Sequence, residues 1–315
     1  MFFTSSTTVI RPAARSSGYF IDEKTRHEMT TTISEHAAFG GVQGFYQHQS
    51  SAIGLPMRFS VYQPPHAKTT KVPVLFYLAG LTCTEETFMI KAGAQRAAAE
   101  SGMMLVSCDT SPRSTGIDGA TKDWDFGEGA GFYLDATAEP WCKHFRMETY
   151  LVDELLPLIV ESFPAEQSRI GIFGHSMGGH GALTLALRHS EVFRSVSAFA
   201  PICAPTLCAW GQKAFSQYLG TDTSKWNEHD ACVLIQQRRT KFPGGILIDQ
   251  GMSDKFLADG QLHPELFEAA CERVGQPLTL RRHDGYDHGY YFVSTFMADH
   301  LDFHRRVLTS LPIKG

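Results

Sequence analysis

The sequence predicts an α/β fold in which a mostly parallel central sheet of about eight strands is covered by helices on both faces. Three observations predict it. Short, nearly continuous apolar runs recur along the chain, as in strands that are buried on both sides. Segments with helical apolar spacing alternate with these runs, which is the order of a doubly wound sheet. The series opens with two short strands that favour antiparallel pairing.

The strands are predicted from their apolar runs in chain order. The first two, at 44–48 and 57–62, are joined through Gly54 and form the antiparallel pair. The parallel strands follow at 72–78, 104–108, 170–173, 196–199, 245–248 and 278–280. Ligands of open α/β sheets bind at the carboxyl ends of such strands, so the loops after them are the first place to look for chemistry.

Two segments between and after the strands have helical periodicity. Apolar residues three and four apart lie on one stripe of a helix. The first segment carries them at Met147, Tyr150, Leu151, Leu155, Leu158 and Ile159. The second covers 290–307 and closes the chain.

The composition excludes several classes of protein. Of the 315 residues, 43% are apolar, which is enough for one substantial core and rules out intrinsic disorder. The net charge of −5 gives no basic field for a nucleic acid backbone. No apolar run approaches the roughly 18 residues that span a bilayer. We therefore expect a small-molecule partner, with no nucleic acid and no membrane.

The cysteines and the amino terminus bear on location and domain organisation. Seven cysteines are an odd, scattered set without a Cys-x-x-Cys pair, which favours reduced thiols in a cytoplasmic protein. Residues 1–30 begin with a Ser- and Thr-rich stretch that has neither strand nor helix periodicity. We predict a disordered extension at 1–30 and a single domain at 31–315.

The sharpest local motif is Gly174-His175-Ser176-Met177-Gly178, directly after the strand at 170–173 and before a helical segment. Glycines on both sides of a serine allow a tight strand-to-helix turn that presents the hydroxyl outward. The pattern alone occurs by chance, and the alternative is an ordinary glycine-rich turn. Its place at a strand–helix junction favours Ser176 as a nucleophile.

A serine nucleophile needs a general base and an acid that orients the base. His288 follows the last predicted strand and is the favoured base. The candidate acids are Asp249, Asp254, Asp259 and Asp287. Asp249 adjoins its strand, Asp259 resembles a turn residue, and Asp287 would point away from its neighbour in an extended loop. Asp254 lies far enough along its loop to reach His288, so we choose it.

The tetrahedral intermediate of such a reaction needs two hydrogen-bond donors for its oxyanion. One is the backbone N–H of Met177, the residue after the nucleophile. The second is expected from the loop after an early strand, where Gly80 allows close approach and Leu81 supplies its N–H. A plain turn at the strand end is the alternative. His175 and His180 flank the serine, and we give them packing or supporting roles.

Longer strings extend the match beyond the serine motif. They are Gly80-Leu81-Thr82-Cys83-Thr84, Asp109-Thr110-Ser111-Pro112-Arg113, Trp124-Asp125-Phe126-Gly127, Gly129-Ala130-Gly131-Phe132-Tyr133, 174–183, 197–203, Asp249-Gln250-Gly251, Asp259-Gly260-Gln261-Leu262 and Gly285-Tyr286-Asp287-His288. With them, the chain from about 39 to 308 resembles the S-formylglutathione hydrolase (esterase D) family, which has the α/β-hydrolase fold. Family members commonly carry Ser where Ala79 stands.

The resemblance implies a function and a pocket. It implies the same triad, Ser176, Asp254 and His288, and a substrate pocket at Gly80, Cys83, Trp124 and Trp210. The implied reaction is hydrolysis of S-formylglutathione to glutathione and formate, as in formaldehyde detoxification, with no metal and no other cofactor. It also implies that Cys83 lies beside the nucleophile, and a homodimer is carried from the family alone.

Two other functions compete with this expectation. One is a carboxylesterase or carbohydrate acetyl esterase of the same fold that acts on oxygen esters. The other is a catalytically inactive scaffold or receptor, against which the complete Ser, Asp, His order argues.

Overall fold

One sheet forms the centre of the molecule in the computed structural model, which describes residues 30–237 and 241–310. The strands within these residues are β1 Thr30–Ala38, β2 Gly41–Gln49, β3 Pro56–Gln63, β4 Val72–Leu78, β5 Met104–Cys108, β6 Ala165–His175, β7 Phe193–Phe199, β8 Ile246–Gly251 and β9 Leu278–His283. Their order across the sheet is β1-β2-β3-β5-β4-β6-β7-β8-β9. The neighbours β1–β2, β2–β3 and β3–β5 pair antiparallel. All neighbours from β5–β4 to β8–β9 pair parallel.

The predicted fold class is confirmed, and all eight predicted strands are present. The bounds of β4 and β5 agree residue for residue with the prediction, because both are nearly continuous apolar runs. The strand β1 was not predicted. It forms the edge of the sheet and most of its side chains are exposed, so its sequence lacks the apolar alternation of a half-buried strand. Apart from Thr30, the predicted extension at 1–30 lies outside the described residues.

The helices of the described residues alternate with the strands. They are α1 Glu85–Lys91, α2 Gln95–Ser101, α3 (Met147–Thr149, then a π-helical segment Tyr150–Leu155, then Leu156–Ser162), α4 Met177–Arg188, α5 Ala209–Tyr218, α6 Thr223–Trp226, α7 Ala231–Gln237, α8 Lys255–Ala258, α9 Pro264–Val274 and α10 Tyr290–Thr309. Both predicted helices, α3 and α10, are present. Within this part of the chain, no helix is both long enough and apolar enough to cross a membrane.

Helices cover both faces of the sheet. On β7, the hydroxyls of Ser195 and Ser197 bond to His304 of α10. The next side chain, Ala198, faces the other way, and its Cβ would lie 3.4 Å from a Cβ on Gly179 of α4. Because successive side chains of a strand point to opposite faces, α10 and α4 lie on opposite sides. The carboxyl ends of β4, β6, β8 and β9 therefore meet at one edge between two helical layers.

A buried polar chain links the sheet to α10. Ser197 Oγ lies 2.8 Å from both His300 Nδ1 and His304 Nε2, and His304 Nδ1 lies 2.6 Å from Ser195 Oγ. Both imidazoles are fully buried. Burial lowers the pKa of both His300 and His304. Burial likewise lowers the pKa of His180 on α4, to about 3. The native protein therefore holds several neutral histidines that the unfolded chain would protonate in mild acid.

We predict that the free energy of unfolding falls as the pH drops below about 6.5, the ordinary histidine pKa. The unfolded chain binds protons there that the buried imidazoles do not, at about 1.4 kcal/mol per histidine and pH unit. Urea denaturation between about pH 7 and pH 5 measures the slope. His304→Gln removes one of these proton-binding groups, so it is expected to reduce the slope of the free energy of unfolding against pH by about 1.4 kcal/mol per pH unit. The matched control is His66→Gln, at an exposed position, and equal slopes in the two variants would contradict the prediction.

Candidate active site

Ser176 occupies the sharp turn between β6 and α4. Its φ of 59° and ψ of −120° lie in a region that residues other than glycine rarely adopt. The neighbouring glycines make the turn sterically feasible. A Cβ on Gly174 would lie 2.2 Å from the carbonyl oxygen of Gly178, and one on Gly178 would lie 1.9 Å from that of Leu78. Strained backbone of this kind is typical of a catalytic serine at a strand–helix junction.

His288 and Asp254 form a hydrogen-bonded pair across the loops after β9 and β8. The His288 Nδ1–H donates to Asp254 Oδ2 at 2.6 Å. Asp254 Oδ1 accepts the N–H of Phe256 at 2.8 Å and so caps α8. Burial opposes ionisation of Asp254, but the hydrogen bonds from His288, Phe256 and Gln250 outweigh it and lower the pKa of the carboxyl. An ionised carboxylate only accepts, so the proton stays on Nδ1 and Nε2 is left as the basic nitrogen.

A cavity of about 110 Å³ joins Ser176 to His288, and we call it the Ser176 cavity. It is lined by Gly80, Leu81, Cys83, Trp124, His175, Ser176, Trp210, Phe256, His288 and Tyr290. The structure thus brings together seven of the nine residues predicted for the site. Of the other two, Asp254 lies behind His288, and Met177 is the first residue of α4.

Three lining residues were not predicted as part of the pocket: His175, Phe256 and Tyr290. The ring of His175 lies 4.5 Å from that of His288, and Phe256 packs edge-on against His288 at 4.8 Å between ring centroids. Burial lowers the pKa of His175 well below its ordinary value, so its ring is neutral. Each of the three lies within two residues of a predicted triad member. This proximity in the sequence was the signal from which their place in the pocket could have been predicted.

The loop 80–83 after β4 packs directly against Ser176, and we call it the oxyanion loop because the sequence predicts an oxyanion donor at Leu81. A Cβ on Gly80 would lie 3.2 Å from the Cβ of Ser176, so glycine permits this approach. On the other side of the turn, Met177 begins α4, and the first N–H groups of a helix lack intrahelical acceptors. The N–H groups of Leu81 and Met177 therefore belong to two backbone segments that flank the serine.

Polar contacts from the loop after β5 hold the oxyanion loop. The carbonyl oxygen of Cys83 accepts from Thr110 Oγ1 at 2.7 Å and from Arg113 Nη2 at 2.9 Å. The Arg113 guanidinium is itself fixed by the carboxylate of Asp109, with Nη2 donating at 2.7 Å and Nε at 3.0 Å. Thr82 has a positive φ of 68°, and its N–H donates to Gly129. The loop conformation is thus maintained from outside by a partly buried ion pair.

Cys83 points into the Ser176 cavity but is not an activated thiol. Burial raises the pKa of this thiol, and the contacts with Thr87 and Tyr290 offset only part of that effect. A raised pKa leaves less thiolate, the form that reacts with thiol reagents. The side chain therefore contributes mainly volume and shape to the cavity.

Asp249 belongs to a different polar cluster. Its carboxylate accepts hydrogen bonds from Arg281 Nε at 2.6 Å and from Arg281 Nη2 at 2.5 Å. It also lies 3.3 Å from His300 Nε2. Burial raises its pKa, but His300 and Arg281 outweigh burial and lower it. Ser197, His300 and Asp249 form a second Ser–His–Asp arrangement. All three residues are completely buried, away from the residues that line the Ser176 cavity, so this arrangement stabilises the interior.

The fold and the site define a serine hydrolase of the α/β-hydrolase class. Residues 50–303 match a family described as "Putative esterase". The chain is 50% identical over 281 residues to the S-formylglutathione hydrolase of Mus musculus, covering 88% of this chain and 98% of that protein. It is 52% identical over 278 residues to the S-formylglutathione hydrolase of Arabidopsis thaliana, covering 88% of this chain and 97% of that protein.

A solved structure agrees with these relatives. The S-formylglutathione hydrolase from Agrobacterium tumefaciens is 49% identical and superposes with a TM-score of 0.85, over 88% of this chain and 99% of that one. The chain therefore belongs to the S-formylglutathione hydrolase family, as its sequence motifs predicted. A ferulic acid esterase at 20% identity and a TM-score of 0.66 shares the fold.

We predict that Asp254→Asn lowers kcat by about 10⁴ because the amide no longer fixes the His288 tautomer. The matched substitution, Asp249→Asn, is expected to change kcat less than about tenfold. It should instead lower the free energy of unfolding by about 3 kcal/mol, since it leaves Arg281 without its buried partner. Steady-state kinetics and urea denaturation of both variants separate the two effects. A larger loss of kcat in Asp249→Asn would show that the acid had been chosen wrongly.

Proposed function

We propose that this protein hydrolyses S-formylglutathione to glutathione and formate. The observation that carries the proposal is the strained Ser176 turn that shares a small cavity with His288, whose Nδ1–H is held by Asp254 at 2.6 Å. Family membership at about 50% identity supports the same substrate.

The reaction proceeds in two steps. Ser176 Oγ attacks the thioester carbonyl carbon while His288 Nε2 takes the hydroxyl proton, and Asp254 stabilises the resulting imidazolium. The N–H groups of Leu81 and Met177 bind the oxyanion of the tetrahedral intermediate. The C–S bond then breaks and the glutathione sulfur receives the proton from His288. Water, deprotonated by His288, attacks the formyl-serine ester, and formate leaves as Ser176 regains its proton.

The size of the cavity favours a small acyl group. The Ser176 cavity has about 110 Å³, and part of its wall is aromatic: the Trp210 ring lies 5.7 Å from that of Trp124 and 4.7 Å from that of Phe256, measured between centroids. Extra methylenes in a filled pocket typically cost about 1–3 kcal/mol. A formyl group fits this space, and a long acyl chain would displace an aromatic side chain.

We expect kcat/KM to fall at least about tenfold from formyl- to propionylglutathione, because the larger acyl group overfills the cavity. Initial-rate measurements with formyl-, acetyl- and propionylglutathione give the comparison. Acetylated sugars test the rival carbohydrate esterase. Specificity constants on those sugars that equal or exceed the value for S-formylglutathione would overturn the proposal.

Ser176→Ala is expected to abolish turnover of S-formylglutathione while circular dichroism and the thermal midpoint stay close to wild type. Labelling of the wild-type serine by an organophosphate, absent in the variant, distinguishes a hydrolase from an inactive scaffold. Appreciable thioesterase activity in Ser176→Ala would exclude it as the nucleophile.

The cellular setting is part of the proposal. A glutathione thioester is the partner, and the reaction completes the removal of formaldehyde after its capture by glutathione and the oxidation of that adduct to the formyl thioester by another enzyme. All seven cysteines are free thiols, which supports the reducing cytoplasm as the location. A homodimer is proposed from the family resemblance, and light scattering of the purified protein measures its mass directly.

A further inference from the structure

A second, larger cavity opens at the same edge of the sheet, beside the oxyanion loop. It has about 570 Å³, and its chemistry comes from Arg58, Thr84, Glu85, Asp109, Ser111 and Arg113. We call it the Glu85 cavity. It contains none of the residues that line the Ser176 cavity, so the catalytic steps above make no use of it.

The topology places the Glu85 cavity within reach of Ser176. Its residues follow the carboxyl ends of β4 and β5, and Arg58 of β3 joins them because β3 runs antiparallel to β5, with Phe59 opposite Cys108. In the sheet, β4 lies between β5 and β6, the strand that leads to Ser176. Neighbouring strands are about 4.8 Å apart, so the loops after β5 and β6 begin about 10 Å from each other.

Glu85 is a buried carboxylate that is hydrogen bonded by its own backbone N–H and only loosely paired with a cation. The residue is 2% exposed, and its nearest cation is Arg58 Nη1 at 3.9 Å, too far for a hydrogen bond. Among residues 30–237 and 241–310, no side chain donates a hydrogen bond to this carboxylate. Burial raises the pKa of Glu85. A buried carboxylate is stabilised by a close cationic partner, and an ammonium group of a ligand in the cavity is one such partner.

Two guanidinium groups lie in the same wall. Arg58 has a half-exposed side chain. Arg113 uses Nε and Nη2 for Asp109 and the Cys83 carbonyl, and within the described part of the chain Nη1 has no acceptor. The carboxylate of Asp109 is already paired with Arg113. The cavity therefore presents one carboxylate that no side chain hydrogen-bonds beside two cationic groups, a pattern that complements an ammonium and a carboxylate on the same carbon.

We propose that the Glu85 cavity binds the γ-glutamyl end of glutathione, with its α-ammonium at Glu85 and its α-carboxylate at Arg58 and Arg113 Nη1. This inference rests on the proposed function. With bonds of about 1.3–1.5 Å, the seven bonds from the glutathione sulfur to the glutamyl Cα span about 9 Å when extended. That length matches the roughly 10 Å between the loops after β6 and β5. The thioester can thus lie at Ser176 while the glutamyl end lies in the Glu85 cavity.

The test compares two thioesters that differ only in this end. S-formylglutathione carries the γ-glutamyl group, whereas S-formyl-N-acetylcysteinylglycine has an acetyl group in its place. Glu85→Gln keeps the shape of the side chain and removes its charge, and Arg58→Gln removes one cation. Each is expected to lower kcat/KM for S-formylglutathione about tenfold or more, through KM, and to leave the acetylated thioester close to wild type. Glu272→Gln and Arg306→Gln, both at exposed positions, are the matched charge controls.

A binding measurement supplies an independent readout. Glutathione should inhibit hydrolysis of p-nitrophenyl acetate competitively, and its inhibition constant should rise about tenfold in Glu85→Gln but not in Glu272→Gln. Thermal unfolding checks that the variants fold. If Glu85→Gln does not fold, Arg58→Gln is used for the test instead. Equal effects on both thioesters, or no effect on either, would overturn the subsite while leaving the proposed function intact. Failure of the wild-type enzyme to hydrolyse S-formylglutathione would overturn the proposed function itself.

Discussion

The close contact between the start of α4 and the end of β4 is the constraint on which the rest of the site depends. Gly178 lies so near the carbonyl oxygen of Leu78 that any side chain there would collide with it, and Gly80 lies against Ser176 in the same way. These two approaches place the strained serine and the oxyanion loop in one rigid unit. Strain of this kind persists only where the surroundings determine the backbone, and here strands buried on both faces do so.

The two buried carboxylates in β8 and in the loop after it illustrate how one strand serves two purposes. Asp249 lies within β8 and points into the interior, where Arg281 compensates its charge and His300 Nε2 lies 3.3 Å away. Asp254 lies in the loop beyond it and faces His288. Both carboxylates remain ionised because hydrogen bonds outweigh the cost of burial. Only the second is paired with an imidazole that borders the Ser176 cavity, and access to a cavity rather than residue type separates the predicted catalytic arrangement from the structural one.

Most of the fold was predictable from the sequence because buried parallel strands have an unambiguous apolar signature. The apolar runs of β4 and β5 begin and end at the same residues as the strands themselves. The edge strand β1 has no such signature, since its pairing with β2 depends on backbone hydrogen bonds and its side chains are mostly in solvent. The triad residues were predictable because each follows a recognisable strand, although their catalytic roles remain predictions.

The residues around the Glu85 cavity could not be predicted, since they meet only through the order of the strands. Glu85, Arg58 and Arg113 come from three separate segments, and each alone resembles an ordinary surface charge. The exchange of β4 and β5 in the sheet order puts the loop after β5 beyond the oxyanion loop, on the side away from Ser176. Arg113 lines the cavity, and its Nη2 holds the Cys83 carbonyl. A ligand bound at Nη1 would therefore act on the same guanidinium that maintains the oxyanion loop, which couples occupancy of the distant cavity to the geometry of the reaction centre.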